Sequence, residues 1–190
     1  MKVLVIPENP TLDQHVLKPV VERIFEDLRR SVRVKILTDP HLNGVTEALD
    51  PRMVEHITRT YAMTDLFLLI VDRDCIETRI HQLQQREHES AAIGKTLIGC
   101  LAIEELEAWP LAVHWSRKSK VKWQDVRANC HPKEAYFEPL VEEQGWAASA
   151  GRGRKAAMRE LSGSWKRLQS RCPEIRELTG RIGEWLRNRP

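Results

Sequence analysis

The chain of 190 residues is 42% apolar and 30% charged, enough for one packed domain with an appendage and too apolar for a disordered chain. No stretch approaches the roughly 18 apolar residues of a membrane span, and MKVLVIPENP is too short an apolar run for a secretory signal, so a cytoplasmic protein is expected. The net charge of +3 hides an asymmetry: residues 1–115 carry 13 Lys/Arg against 18 Asp/Glu, a net of −5, and residues 116–190 carry 17 against 9, a net of +8.

Residues 2–6, KVLVI, form a continuous, largely β-branched run, the mark of a strand buried on both faces. Thr11 and Gln14 make a capping box, and Val16, Leu17, Val20, Val21, Ile24, Phe25 and Leu28 recur at helical spacing. Pro19 is expected to kink that helix or to mark its first turn. VRVKIL (32–37) alternates and reads as a second strand, nearer a sheet edge. A loop with Asn43-Gly44 precedes a helix from Pro51 to about Ala62, capped by Asp50. LFLLIV (66–71) is the third strand, 77–92 a polar helix ending at Gly94, and TLIGCLAI (96–103) the fourth strand. Pro110 is tolerable only in a first helical turn, so another helix begins close to Glu104, Glu105 and Glu107. Beyond Trp115, SRKSKVKW is basic, QGWAASAGRGRK is loop-like, and 154–170 and 173–188 read as helices.

Strands alternating with helices imply a parallel sheet. The expected fold is α/β: a four-stranded parallel sheet with helices on both faces in residues 1–115, and a basic, mainly helical extension, 116–190, packed on it. Cys75, Cys100, Cys130 and Cys172 form no CxxC pair, and free buried thiols are expected.

The third strand runs into Asp72 and Asp74. In an open parallel sheet, ligands bind outside the carboxyl ends of the strands, and on an extended backbone residues i and i+2 point the same way. The two carboxylates then reach a common point, where a hard cation such as Mg²⁺ offsets their repulsion. Glu8 ends the first strand similarly and joins them if strands one and three are neighbours, about 4.8 Å apart. Glu104, Glu105 and Glu107 follow strand four. The plain alternative is a pair of loop acids and glutamates complementing a helix start.

Glu8 in VLVIPEN, Asp72 and Asp74 in LLIVDRD, and the order of elements resemble the Toprim domain of topoisomerases, primases and OLD-type nucleases. The segment Glu107-Ala108-Trp109-Pro110-Leu111-Ala112 and the late GRGRKAAMREL look like those of small stand-alone Toprim-like proteins found beside ATPases in bacterial defence loci. Asn9 stands where that family commonly has glycine, and the second acid of its first motif is displaced to Asp13, leaving Asp13 outside the implied ligand set. The resemblance implies a Toprim-like, Rossmann-like fold and a metal-dependent nuclease acting in anti-phage defence with an ATPase partner. Mg²⁺ or Mn²⁺ would be held by Glu8, Asp72 and Asp74, with Glu104, Glu105 or Glu107 for a second ion and Glu107 counted with the catalytic acids. Glu8 is alternatively the general base. Neither Tyr61 nor Tyr136 has a supporting domain for topoisomerase chemistry, so hydrolysis is expected. The competing reading is a Toprim scaffold that binds or regulates and cuts nothing. A generic nucleotide binder is the weakest reading, since the chain has neither a P-loop nor G-x-G-x-x-G.

A basic tail suits nucleic acid, an acidic protein surface or a solvated helical face. Arg117, Lys118, Lys120 and Lys122, with Trp123, are candidates to follow a nucleic-acid backbone and stack a base. Arg152, Arg154 and Lys155, between glycines, are candidate phosphate contacts or an ordinary surface loop. Trp165 and Trp185 fit helical core positions. His81 and His88 lie about 10 Å apart along one helix, too far to share a metal. Cys130-His131 has no partner in sequence, and neither pair reads as a site.

Overall fold

The computed structural model describes residues 1–115 and 121–189. Strands β1 (Lys2–Ile6), β2 (Arg33–Ile36), β3 (Leu66–Asp72) and β4 (Leu97–Ala102) form one parallel sheet in the order β2-β1-β3-β4. β3 is buried from Leu66 to Val71, as its unbroken apolar run requires of a central strand. β2 alternates exposed and buried positions at the sheet edge. The chain runs outward from β1 to β2 and then returns to place β3 on the other side of β1. That reversal makes the β1/β3 junction the switch point of the sheet, where the crevice at the carboxyl ends opens.

Helix α1 (Pro10–Asp27) starts one residue before the expected capping box. Asn9 is the cap, its Oδ1 accepting from the N–H groups of Thr11 and Leu12, and Pro10 occupies the first turn, where no N–H is needed. Pro19 lies within the helix, which continues through it. A short helix α2 (Val45–Ala48), absent from the sequence reading, precedes α3 (Pro51–Thr60), whose cap Asp50 accepts from Met53 N–H at 2.9 Å as expected. Helix α4 (Arg79–Ala92) leads to Gly94, whose φ of +71° suits glycine. Helix α5 (Ala108–His114) carries Pro110 in its first turn.

Beyond the undescribed residues lie α6 (Trp123–Ala128), a π-helical turn (Lys133–Phe137), α7 (Glu138–Glu143), α8 (Arg154–Ala157), a 3₁₀ turn (Met158–Glu160), α9 (Leu161–Arg171) and α10 (Pro173–Arg187). One face of the sheet packs on α1, α5, α9 and α10, with Trp109 and Trp165 buried there and Trp185 partly so. The other face packs on α3 and α4 through Val54, Ile57 and Leu83. The helices after residue 150 therefore complete the core of the sheet. A smaller cluster around Leu111, Val126, Phe137 and Val141 joins α5 to the segment after it.

The cysteine expectation is corrected in part. Cys100 and Cys172 are free and buried, but Cys75 and Cys130 form a disulfide across a Cα–Cα distance of 5.6 Å, within bridging range. It ties the loop after β3 to the segment after α6. Among the described residues, no helix is long and apolar enough to cross a membrane.

Candidate functional site

Glu8 and Asp72 meet at the switch point because β1 and β3 are neighbours. Glu8 Oε1 accepts the Asp72 N–H at 2.5 Å, and Asp72 Oδ1 accepts the Leu106 N–H at 2.7 Å. Asp72 and Asp74 do not point the same way, as an extended backbone would have made them. β3 ends at Asp72, and Asp74 takes a φ of +46°, so the two are not on one extended backbone. Asp74 instead pairs with Arg79, which is 7% exposed and also donates to the Asp72 carbonyl at 2.6 Å. Asp13, outside the expected set, enters the cluster from α1: its Oδ2 accepts the Asn9 N–H at 2.9 Å, and its charge acts on Glu8 and Asp72.

The three glutamates after β4 have three different fates. Glu104, 2% exposed, accepts from Arg73 and from the Cys75 N–H at 2.7 Å. Burial pushes its carboxyl up, but the Arg73 hydrogen bond and charge carry it below the usual range. It is a neutralised structural acid, and its place among the expected metal ligands is withdrawn. Glu105 turns toward the later segment, accepting the Lys133 N–H at 2.8 Å and lying beside His131 and Glu134. Glu107 stays with the main cluster, where its charge bears on Asp72 and Asp13, and it pairs with Arg154.

That pair corrects the reading of Arg154 as a nucleic-acid contact. It is 3% exposed against 4% for Glu107, and its Nη1 donates to the Gly151 carbonyl at 2.9 Å. Its Nε has no partner among the described residues. Arg152 and Lys155 are exposed, and Arg152 joins Lys133, Phe137, Glu138 and Arg154 around a cavity of about 260 Å³. Lys122 is exposed at the start of α6. Arg117, Lys118 and Lys120 lie outside the described residues.

Glu8, Asp13, Asp72, Asp74 and Glu107 thus lie near enough for their charges to act on one another, with Arg79 and Arg154 as neighbouring cations, although no three of them bring ligand atoms within 4.8 Å of one another. Burial raises Glu8 to about 7, assisted by the charges of Asp74 and Asp13. Burial likewise raises Asp13 to about 6, and Asp72 is pushed well above the carboxylate range by burial and then by Glu8, Glu107 and Asp13. The acids are short of positive charge. All are oxygen donors, which suits a hard divalent cation such as Mg²⁺ or Mn²⁺.

This charge deficit has a measurable consequence. A carboxyl raised in the folded state binds a proton that the unfolded chain has already released. Its stabilising effect is full below the unfolded value of 4.5 for Glu8 and is lost as pH rises through about 7. The chain in EDTA should therefore melt at a higher temperature at pH 5.5 than at pH 8, by about 4–8 °C for a difference on the order of 2 kcal/mol. His15, held below its usual range by burial and then Lys155, acts in the opposite sense below its unfolded value of 6.5. The Glu8→Gln/Asp72→Asn double variant should lose most of the pH difference, and a difference unchanged in that variant places its origin elsewhere.

The geometry defines an α/β protein with a parallel sheet and a desolvated carboxylate cluster at the carboxyl-end switch point. No family model, curated protein or solved structure matches the chain. The residues that sequence reasoning missed are the counter-cations Arg73 and Arg79, the acid Asp13, and His131 with Glu134. An Asp or Glu a few residues from an Arg is too common a pattern to single them out.

Proposed function

We propose that the chain is a metal-dependent nuclease that hydrolyses phosphodiesters of DNA or RNA at the Glu8–Asp72–Asp74 cluster. The observation that carries this reading is the pair Glu8 and Asp72, both buried and raised, that meets at the β1/β3 switch point with Asp74 beside it and too few cations nearby. Glu8, Asp72 and Asp74 would hold Mg²⁺ or Mn²⁺. Such an ion, when bound, stabilises charge on the attacking and leaving oxygens. As the alternative to ligation, Glu8, whose carboxyl burial raises in the metal-free cluster, would take the proton from an attacking water. Arg79 holds Asp74 in place, and Glu107 is held by Arg154. Lys122, with Arg117, Lys118 and Lys120 before it in sequence, and the exposed Arg152 and Lys155 would follow the nucleic-acid backbone. The Toprim-like order of acids supports a role as effector of a bacterial anti-phage defence system, acting with an ATPase partner in the cytoplasm.

A second reading, a scaffold that binds nucleic acid or regulates a partner without cutting, is favoured by one observation. Asp74 and Glu107 already have arginine partners, so part of the acidic set is internally satisfied. Single- and double-stranded DNA and RNA, incubated with the chain and Mg²⁺, Mn²⁺ or EDTA, separate the two. Cation-dependent cleavage supports the nuclease. Retained binding without cleavage, also after addition of any ATPase found to be encoded beside it, supports the scaffold.

A further inference from the structure

Cys130-His131 has no partner evident in sequence, but the fold brings Glu105 and Glu134 to His131. Glu105 comes from the turn between β4 and α5, His131 from just before the π-helical turn and Glu134 from within it. One ligand atom from each lies within 4.8 Å of the other two, the one such convergence of His, Cys, Asp and Glu among the described residues. From this geometry we infer that Glu105, His131 and Glu134 form a binding site for a first-row divalent transition ion of the Zn²⁺ type, separate from the Glu8–Asp72 cluster.

The donor set decides the class of ion. An imidazole nitrogen with two carboxylate oxygens suits Zn²⁺, Co²⁺ or Ni²⁺, whereas Mg²⁺ prefers oxygen alone. Two carboxylates balance a divalent charge, and three protein ligands leave a position open to water.

The segment that carries two of the ligands is fixed from several sides. Cys130 is bonded to Cys75, the Asn129 side chain accepts the His131 N–H at 2.7 Å, and Pro132 is buried. The Lys133 N–H donates to Glu105 Oε2 at 2.8 Å, which orients that carboxylate and ties both halves of the site together. The competing cation is Lys133 Nζ, 3.2 Å from Glu134 Oε1. It is a single ammonium on a flexible stem, and an ion held by three ligands would displace it from Glu134.

The test is a titration of the full chain with Zn²⁺, and with Co²⁺ read by its visible absorption, in excess Mg²⁺ to occupy oxygen-only sites. The expected result is one equivalent bound, with affinity falling at least tenfold in His131→Ala. His131 is exposed, so that variant should fold as the wild type does. Glu134→Gln should weaken binding similarly, and Lys133→Met should leave it unchanged or tighten it. Asp72→Asn, which removes the proposed nuclease, should leave it intact. No binding in excess Mg²⁺ would overturn the site, as would affinity unchanged in His131→Ala. Loss of binding in Asp72→Asn with retention in His131→Ala would assign the ion to the other cluster.

Discussion

Asp72→Asn is expected to reduce cation-dependent cleavage at least 100-fold, a loss of about 3 kcal/mol of transition-state stabilisation, while raising the melting temperature of the metal-free chain at pH 8. The two effects have one cause. Asparagine keeps an oxygen to accept the Leu106 N–H, so the local backbone is held, but it removes a charge that Glu8, Glu107 and Asp13 all oppose. Glu8→Gln should behave alike, since glutamine can still accept the Asp72 N–H. Asp74→Asn should differ. Its partner Arg79 is buried, so loss of the ion pair should lower stability as well as activity. Cleavage assays with Mg²⁺ and Mn²⁺, paired with thermal melts in EDTA, read both effects. Wild-type cleavage by Asp72→Asn defeats the proposed mechanism. A lower melting temperature for that variant at pH 8 defeats the account of repulsion.

The scaffold of this site was legible because its signals are local. KVLVI and LFLLIV declare buried strands through unbroken apolar runs, VRVKIL declares an edge by alternating, and Asp50-Pro51 marks a helix start by cap and ring. The placement of Glu8 beside Asp72 was legible only as a condition, that β1 and β3 be neighbours, which the strand order β2-β1-β3-β4 meets. What stayed hidden depends on pairing across the chain. Cys75 and Cys130 are 55 residues apart, and Arg154 lies 47 residues from Glu107, separations at which sequence carries no geometric signal. The start of α1 was misplaced for a local reason. Thr11 and Gln14 match a capping box, but Asn9 before Pro10 is the stronger start, and the Asn9 N–H is met by Asp13 in place of Gln14. Asp13 thereby serves as both a helix-start group and a member of the acid cluster.

Arg154→Met is expected to be the most destabilising substitution near the site, lowering the melting temperature by on the order of 10 °C. The segment around Arg154 is built to bring that side chain inward. Gly151 and Gly153 adopt φ of +67° and +89°, and a Cβ on Gly153 would lie 2.6 Å from Val141 Cγ2, so neither position accepts a larger residue without strain. The guanidinium then reaches Glu107 and packs 5.7 Å from the centre of the Phe137 ring. Methionine fills similar volume but leaves Glu107 buried and unpaired beside Asp72 and Asp13, a situation that costs about 3–5 kcal/mol. Glu107 should take up a proton instead, so the deficit should be smaller at pH 5.5 than at pH 8. Glu107→Leu combined with Arg154→Met removes both charges and should recover much of the lost stability. Thermal melts of the two single variants and the double at both pH values make the cycle. An Arg154→Met chain melting within a degree of the wild type would show that the pair does not stabilise the fold. A double variant no better than the worse single would show that Arg154 acts through packing on Phe137 and not through the charge on Glu107.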